Sequence, residues 1–235
     1  GTGPLSMADY MNLKLRHVDT TNTSGSSYVI HVAHAAQAIA AGKCNVALIT
    51  LAGRPRNEGK AKGFLPRTDN PQQTDFQWEQ PFGMVVLNVY AMTAMRHMHE
   101  YGTTSEQLAW IKVAASHHAQ HNPHAMLKDV VTVKDVLDSP LVADPLHRLD
   151  CCVVSDGGGA VIVARPEVAK SLKRPKVRIL GAGEAPKGQA GGKLSLTVSG
   201  AAWSGPRAFD EAGVKPADIQ YASIYDSFTI TVLMQ

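Results

Sequence analysis

The stretch TTNTSGSSYVIHVAHAAQAIAAG, residues 20–42, decides how this chain is read. Small residues crowd a turn at Ser24, Gly25, Ser26 and Ser27. Residues 28–41 then run at helical spacing, rich in alanine, and stop at Gly42. Residues 45–51 (NVALITL) follow as a short β-prone run, apolar enough for a central strand. Helix, glycine and buried strand in that order predict the αβ half of a βαβ unit, and so an α/β chain. The turn also has chemical potential. The first N–H groups of a helix lack intrahelical partners and can hold a developing negative charge. Glycine and serine let backbone come close to a ligand. A plain helix cap accounts for the same residues without any ligand.

Working outward, residues 53–81 are polar and rich in Gly, Pro, Asn and Gln, and read as a long loop of the kind that is usually functional or mobile. Residues 85–101 return to helical spacing. Thr104 and Gln107 form a capping box for a helix running to about His121, where Asn122-Pro123 ends it. Residues 132–137 suggest another short helix. The stretch 53–149 therefore looks like an excursion of loops and helices from an α/β core. Residues 151–164 resume that core as a β run, a turn at 155–159 (SDGGG) and a strand at 160–164. A short helix at 167–172 precedes a boundary at Lys173-Arg174-Pro175. Beyond it come a strand at 177–180, a loop at 181–199, a helix at 206–212, a strand at 221–225 and an apolar helix from Phe228 onward. The chain starts without Met and stops just after that apolar run begins, which suggests an internal piece of a longer protein.

Composition bounds the function classes. A chain of 235 residues with 44% hydrophobic residues can bury a sizeable core. A net charge of +3, with basic residues dispersed, argues against nucleic-acid binding. The three cysteines, Cys44, Cys151 and Cys152, form no CxxC pair and lie beside apolar runs, as buried reduced thiols would. With no membrane-spanning run and no signal peptide, a cytoplasmic protein is expected.

Three segments together resemble the thiolase superfamily. The first is the turn, helix and AIAAG followed by a strand, where thiolases carry the acyl-accepting cysteine. Counting back from Gly42 puts that cysteine's position at Gly25, flanked by Ser24, Ser26 and Ser27. The second is 149–163 (LDCCVVSDGGGAVIV), similar to the strand–turn–strand that ends the family's first half. The third is 208–228 (AFDEAGVKPADIQYASIYDSF), similar to the second-half segment that ends in an Asn- or His-led tetrapeptide. Here that tetrapeptide is Tyr225-Asp226-Ser227-Phe228. The resemblance implies a layered α/β/α/β/α thiolase fold, incomplete at both ends. Residues 1–173 would be part of the first half, with the excursion at about 53–149, and 174–235 the start of the second.

The departures from the family are informative. Thiolases form a covalent acyl-cysteine, and glycine at position 25 cannot. The pattern is closer to the lipid-transfer-protein-like branch, which includes steroid side-chain aldolases. For that branch the resemblance implies retro-aldol cleavage of a β-hydroxyacyl-CoA, a homodimer and a small OB-fold (DUF35-type) partner. The CoA thioester is the substrate, and no tightly bound cofactor or metal is expected. Tyr225 replaces Asn or His and is the candidate acid/base, although a base role needs a phenol pKa below the usual ~10. A tyrosine that merely packs the strand end is the alternative. The turn at Ser24, Ser26 and Ser27, with Asp226, would line the thioester pocket. Arg54, Arg56, Lys60 and Lys62 lie where thiolases place their CoA-covering insertion, and a plain soluble loop fits them equally well.

Other patterns carry less. His117, His121 and His124 have helical spacing but no acidic or cysteine partner at matching spacing, so surface or structural histidines are expected. His31 and His34 share the helix after the Gly25 turn, and nothing in the sequence selects either as a pocket residue. SDGGGA lacks the spacing of a nucleotide loop. Three functions remain open: a carbon–carbon lyase, an acyl-CoA acyltransferase with another nucleophile, and a non-catalytic CoA-thioester or lipid-binding protein.

Overall fold

Helix α1 (Pro4–Tyr10) opens on a proline, whose missing N–H costs nothing in a first turn. A 3₁₀ turn (Ser24–Ser26) leads straight into α2 (Ser27–Ala40). Helix α2 ends as the glycine signal requires. Gly42 is left-handed at φ 72°, the Lys43 N–H bonds the Ala38 carbonyl at 2.9 Å, and the Gly42 N–H bonds that of Ile39 at 3.0 Å. This is the Schellman pattern. Strand β1 (Val46–Gly53) follows. The computed structural model describes residues 3–58, 85–187 and 195–235.

Helix α3 (Val86–Tyr101) ends at Gly102. Helix α4 (Ser105–Ala119) carries the expected capping box between Thr104 and Gln107, and α5 (Val133–Leu137) carries one between Thr132 and Asp135. A small hairpin, β2 (Leu141–Ala143) with β3 (Leu146–His147), turns through a cis Asp144–Pro145 peptide. A 3₁₀ turn (Arg148–Asp150) completes this region.

Strand β4 (Gly157–Ala164) pairs antiparallel with β1, Val46 opposite Ala164 and Gly53 opposite Gly157. This corrects two expectations. The described partner of β1 is antiparallel rather than the parallel strand of a βαβ unit. The three glycines of SDGGGA lie in the strand rather than in a turn. Position 158 shows why glycine belongs there: a Cβ would sit 2.7 Å from the Leu51 carbonyl oxygen and 2.8 Å from the Ala52 Cβ. One face of this sheet packs on α2, where Ala35, Ile39 and Val163 form a small core with Val32, Ala47 and Ile49.

Helix α6 (Pro166–Lys170) is short, and α7 (Ala201–Ala212) starts five residues before the expected point, with Pro206 inside the helix rather than at its start. Residues 177–180 and 221–225, expected as strands, belong to no assigned strand among the described residues. A strand needs a partner for its alternating N–H and C=O groups, and β propensity alone does not supply one. Helix α8 (Thr229–Leu233) closes the described chain.

The chain divides into two compact units. The first comprises Gly1–Arg54, Asp156–Lys187 and Gly200–Tyr221; the second comprises Pro55–Ser155, Gly188–Ser199 and Ala222–Gln235. The first unit holds the β1–β4 sheet with α2 and α7. The second holds a core of Leu87, Ala91, Ala94, Leu108, Leu146, Phe228 and Ile230, in which Tyr90 stacks on Phe228 at 4.4 Å.

Candidate functional site

In the first unit, the approach to the Gly25 turn is laced to α2 by one stripe of that helix. Ser27, His31 and His34 stand four and three residues apart, so they share a helical face. Ser27 Oγ accepts from the Thr23 N–H at 2.8 Å. His31 Nε2 donates to the Thr21 carbonyl at 2.8 Å. His34 Nδ1 meets Asp19 Oδ2 at 2.6 Å. Residues 19–23 thus run antiparallel to the helix, tied at every second position. Asp19 in turn accepts from the Thr21 N–H and hydroxyl, each at 2.8 Å. His34 Nε2 is bonded at 2.9 Å to Glu184 Oε1, from a segment far along the chain. A cleft of about 380 Å³ opens beside this lacing, lined by His17, Asp19, His34, Gln37 and Lys43 among others.

The turn itself is accessible. Gly25 and Ser26 are exposed, whereas Ser27 is buried. Ser26, the N-cap of α2, makes no side-chain cap bond. Ser27, expected to line a pocket with its neighbours, has its hydroxyl engaged in holding Thr23.

In the second unit, Cys151 bridges Phe228 and the Cys152 N–H donates to the Ser227 carbonyl at 3.0 Å. This pairing sets Tyr225 and Asp226 beside the two cysteines. Ser227 is buried, its hydroxyl paired with that of Thr231 at 2.8 Å. Tyr225 is 52% exposed. Its phenol pKa is raised, by partial burial first and then by Tyr90, Cys152 and Asp226. The condition for a base role, a lowered value, is therefore not met. A phenol held protonated is a hydrogen-bond and proton donor.

The cysteines follow the same logic. Burial, then the charge of Asp150, pushes the Cys151 thiol up to about 11. Burial and Asp226 push Cys152 up as well. Both are shifted toward the protonated thiol, the weaker nucleophile. All three cysteines are free, but none is fully buried and Cys152 is exposed, a departure from the expected burial.

Of the basic candidates, Arg54 and Arg56 are exposed, and an Arg56 guanidinium N–H reaches the Met126 sulfur at 3.2 Å. Lys60 and Lys62 lie outside the described residues. His117, His118, His121 and His124 are exposed. Among the described residues, no group of three or more His, Cys, Asp or Glu side chains could hold a metal ion, and no helix is long and apolar enough to cross a membrane. The sequence reading missed the roles of Asp19, His34 and Glu184. The stripe of Ser27, His31 and His34 was a usable signal for the first two; nothing local marks Glu184.

Gly25 and the Ser24–Ser26 turn belong to the first unit, Tyr225 and Asp226 to the second. Comparison with known proteins takes in residues of both units. The family pattern described as thiolase C-terminal domain-like matches residues 183–235. The steroid side-chain-cleaving aldolase of Thermomonospora curvata is 32% identical over 87% of this chain and 55% of its own length. An acetyl-CoA acetyltransferase of Methanothermobacter thermautotrophicus is 35% identical over 68% of this chain and 43% of its own. Among solved structures, an Ltp2-ChsH2(DUF35) aldolase superposes with a TM-score of 0.87 at 29% identity, over 99% of this chain and 61% of that one. The fold is that of the thiolases, and the chain belongs to the thiolase superfamily. Within it, the likeness to the aldolase runs over more of the chain than the likeness to the acetyltransferase, which is slightly higher in identity. The chain spans about half the length of these curated relatives.

Proposed function

We propose that this chain is part of a thiolase-fold carbon–carbon lyase that cleaves a β-hydroxyacyl-CoA by a retro-aldol reaction, with a steroid or other lipid side chain as the acyl part. The observation that carries this reading is glycine at position 25, together with two neighbouring thiols held protonated in the second unit. A retro-aldol step needs no acyl-enzyme. A base takes the β-hydroxyl proton, and the Cα–Cβ bond breaks. Its electron pair enters the thioester as an enolate, and Cβ leaves as a carbonyl. The enolate carbon then takes a proton, which gives the shortened acyl-CoA.

In this scheme Tyr225 is the donor, to the enolate oxygen or carbon, because its phenol stays protonated. The β-hydroxyl base is then a second group. The exposed Gly25 turn, with Ser24 and Ser26, lines the thioester pocket, and the missing side chain at Gly25 leaves room for the acyl part. Asp226 helps to set the Tyr225 environment, and Arg54, Arg56, Lys60 and Lys62 contact the CoA phosphates. The reading also includes the division near residue 173 into two thiolase-like halves, a homodimer and a DUF35-type OB-fold partner. The similar Ltp2-ChsH2(DUF35) aldolase structure supports the last of these, the DUF35-type partner.

The test is assay of the intact protein, with and without a DUF35-type partner, against a panel of β-hydroxyacyl-CoA thioesters. Release of a carbonyl product and a shortened acyl-CoA is expected. Acetyl transfer to CoA that survives Tyr225→Phe would sink the proposal. The acetyltransferase likeness favours a second reading, acyl transfer through another nucleophile. It predicts a covalent acyl adduct on the intact protein by mass spectrometry.

A further inference from the structure

The contacts of His34 impose a protonation state. Its Nδ1 lies 2.6 Å from Asp19 Oδ2 and its Nε2 lies 2.9 Å from Glu184 Oε1. An ionised carboxylate only accepts hydrogen bonds, and a neutral imidazole has one N–H. Both contacts are made together only when both ring nitrogens carry protons. Each partner is itself fixed. Asp19 holds the Thr21 N–H and hydroxyl. The Glu184 carbonyl accepts from an Arg207 guanidinium N–H at 2.6 Å. The neighbouring Ala182 N–H donates to Glu211 Oε2 on α7 at 2.9 Å.

We propose that His34 is an imidazolium latch that clamps residues 19–23 and the Glu184 segment onto α2, and that loss of its second proton loosens the approach to the Gly25 turn. His34 is a positioning residue here. It touches neither Gly25 nor any reacting group, and it acts through Asp19 on the segment whose other ties are His31 and Ser27. Among the described residues, the charged and titratable groups near it include Asp19 on the incoming segment, Glu184 on the segment before α7 with Arg207 of α7 on its carbonyl, His31 on its own helix, and His17 and Lys43 in the adjoining cleft. The two carboxylates dominate: the bond to Asp19 first, then that to Glu184, raise the His34 pKa against its partial burial. A neutral His34 would keep one carboxylate and turn a lone pair toward the other. It would therefore release one arm of the clamp.

The importance of this latch to a thioester site rests on the reading of the Gly25 turn given above, but its test needs no turnover. In intact protein labelled with ¹⁵N-histidine, long-range ¹H–¹⁵N spectra should show both His34 ring nitrogens protonated at pH 7. Asp19→Asn and Glu184→Gln should each lower the pH at which His34 titrates. Backbone hydrogen exchange across residues 20–24 should rise on the order of ten-fold in His34→Gln at constant pH, through loss of a charge-assisted bond. It should also rise in the wild type as pH passes the His34 titration, after correction for intrinsic exchange. If His34→Gln does not fold, the two carboxylate variants carry the test alone. A single-protonated His34 ring at pH 7 overturns the proposal. So does a His34 titration unmoved by both carboxylate variants, whatever the lyase assay shows.

Discussion

The Thr229 hydroxyl donates to the buried carboxylate of Asp150 at 2.8 Å. Asp150 is 4% exposed and also accepts the His147 N–H at 2.9 Å. This bond joins the turn before the cysteine pair to the helix after the Tyr225 tetrapeptide. Together with the Cys151–Phe228 bridge, it ties the end of the Tyr225 tetrapeptide and the helix after it to residues 150 and 151. Thr229→Val keeps the shape and removes the donor. It should cost about 1–3 kcal/mol, since hydrogen bonds to charged groups and unsatisfied buried acceptors fall in that range. Calorimetry of the variant checks this, and an unchanged melting temperature would remove the brace from the account.

Gly183 lies against α7 so closely that a Cβ would stand 2.0 Å from the Ser204 carbonyl oxygen, whereas a Cβ at Gly159 meets nothing within 4 Å. Gly183→Ala must therefore push the segment that carries Glu184 away from the helix. Overpacking of this kind costs about 1–3 kcal/mol. Gly159→Ala should stay within roughly 0.5 kcal/mol of wild type. Denaturant melts of the pair give the comparison, and equal stability would contradict the packing.

The His34 latch gives stability a pH window. Partial burial pushes the Asp19 carboxyl up, but bonds from Thr21 and His34 outweigh it and hold it well below the usual range. Its contribution is present above the unfolded carboxylate value, ~4, and is lost as pH falls through the lowered folded value. His34 is raised. Its contribution is full below the unfolded histidine value, ~6.5, and is lost as pH rises through the higher folded one. Both are complete between about pH 4 and 6.5. Melting temperature against pH should flatten on both sides of that window in Asp19→Asn. A profile identical to wild type would argue against it.

Tyr225→Phe removes a donor while keeping the ring. As a proton donor in the cleavage, Tyr225 should contribute about 10²–10⁴-fold to kcat. KM should change little if the bond is made mainly in the transition state. Because the phenol pKa is raised, the wild-type rate should hold through neutrality and fall only as pH climbs past ~10. A rate that requires ionised Tyr225, rising toward alkaline pH, would reverse the assignment to a base.

What was legible in the sequence was local. The alanine-rich run and Gly42 marked α2 to within a residue, because spacing and a left-handed stop act inside one short window. The capping residues Thr104 and Gln107 marked the start of α4. The proposal of Gly25 as a vacant nucleophile position rests on a count along one helix. The tertiary structure decided whatever depends on a distant partner. The glycines at 157–159 are strand because residues 51–53 lie beside them, more than a hundred positions earlier. Residues 221–225, β-prone by composition, have no ladder among the described residues. The Tyr225 phenol is held toward its protonated form by burial first, then by Tyr90, Cys152 and Asp226. His34 became a latch through Asp19 and Glu184, which stand 15 and 150 residues from it. Spacing sets which side chains share a face, but charge and burial, and hence chemistry, are set by groups that only folding brings within reach.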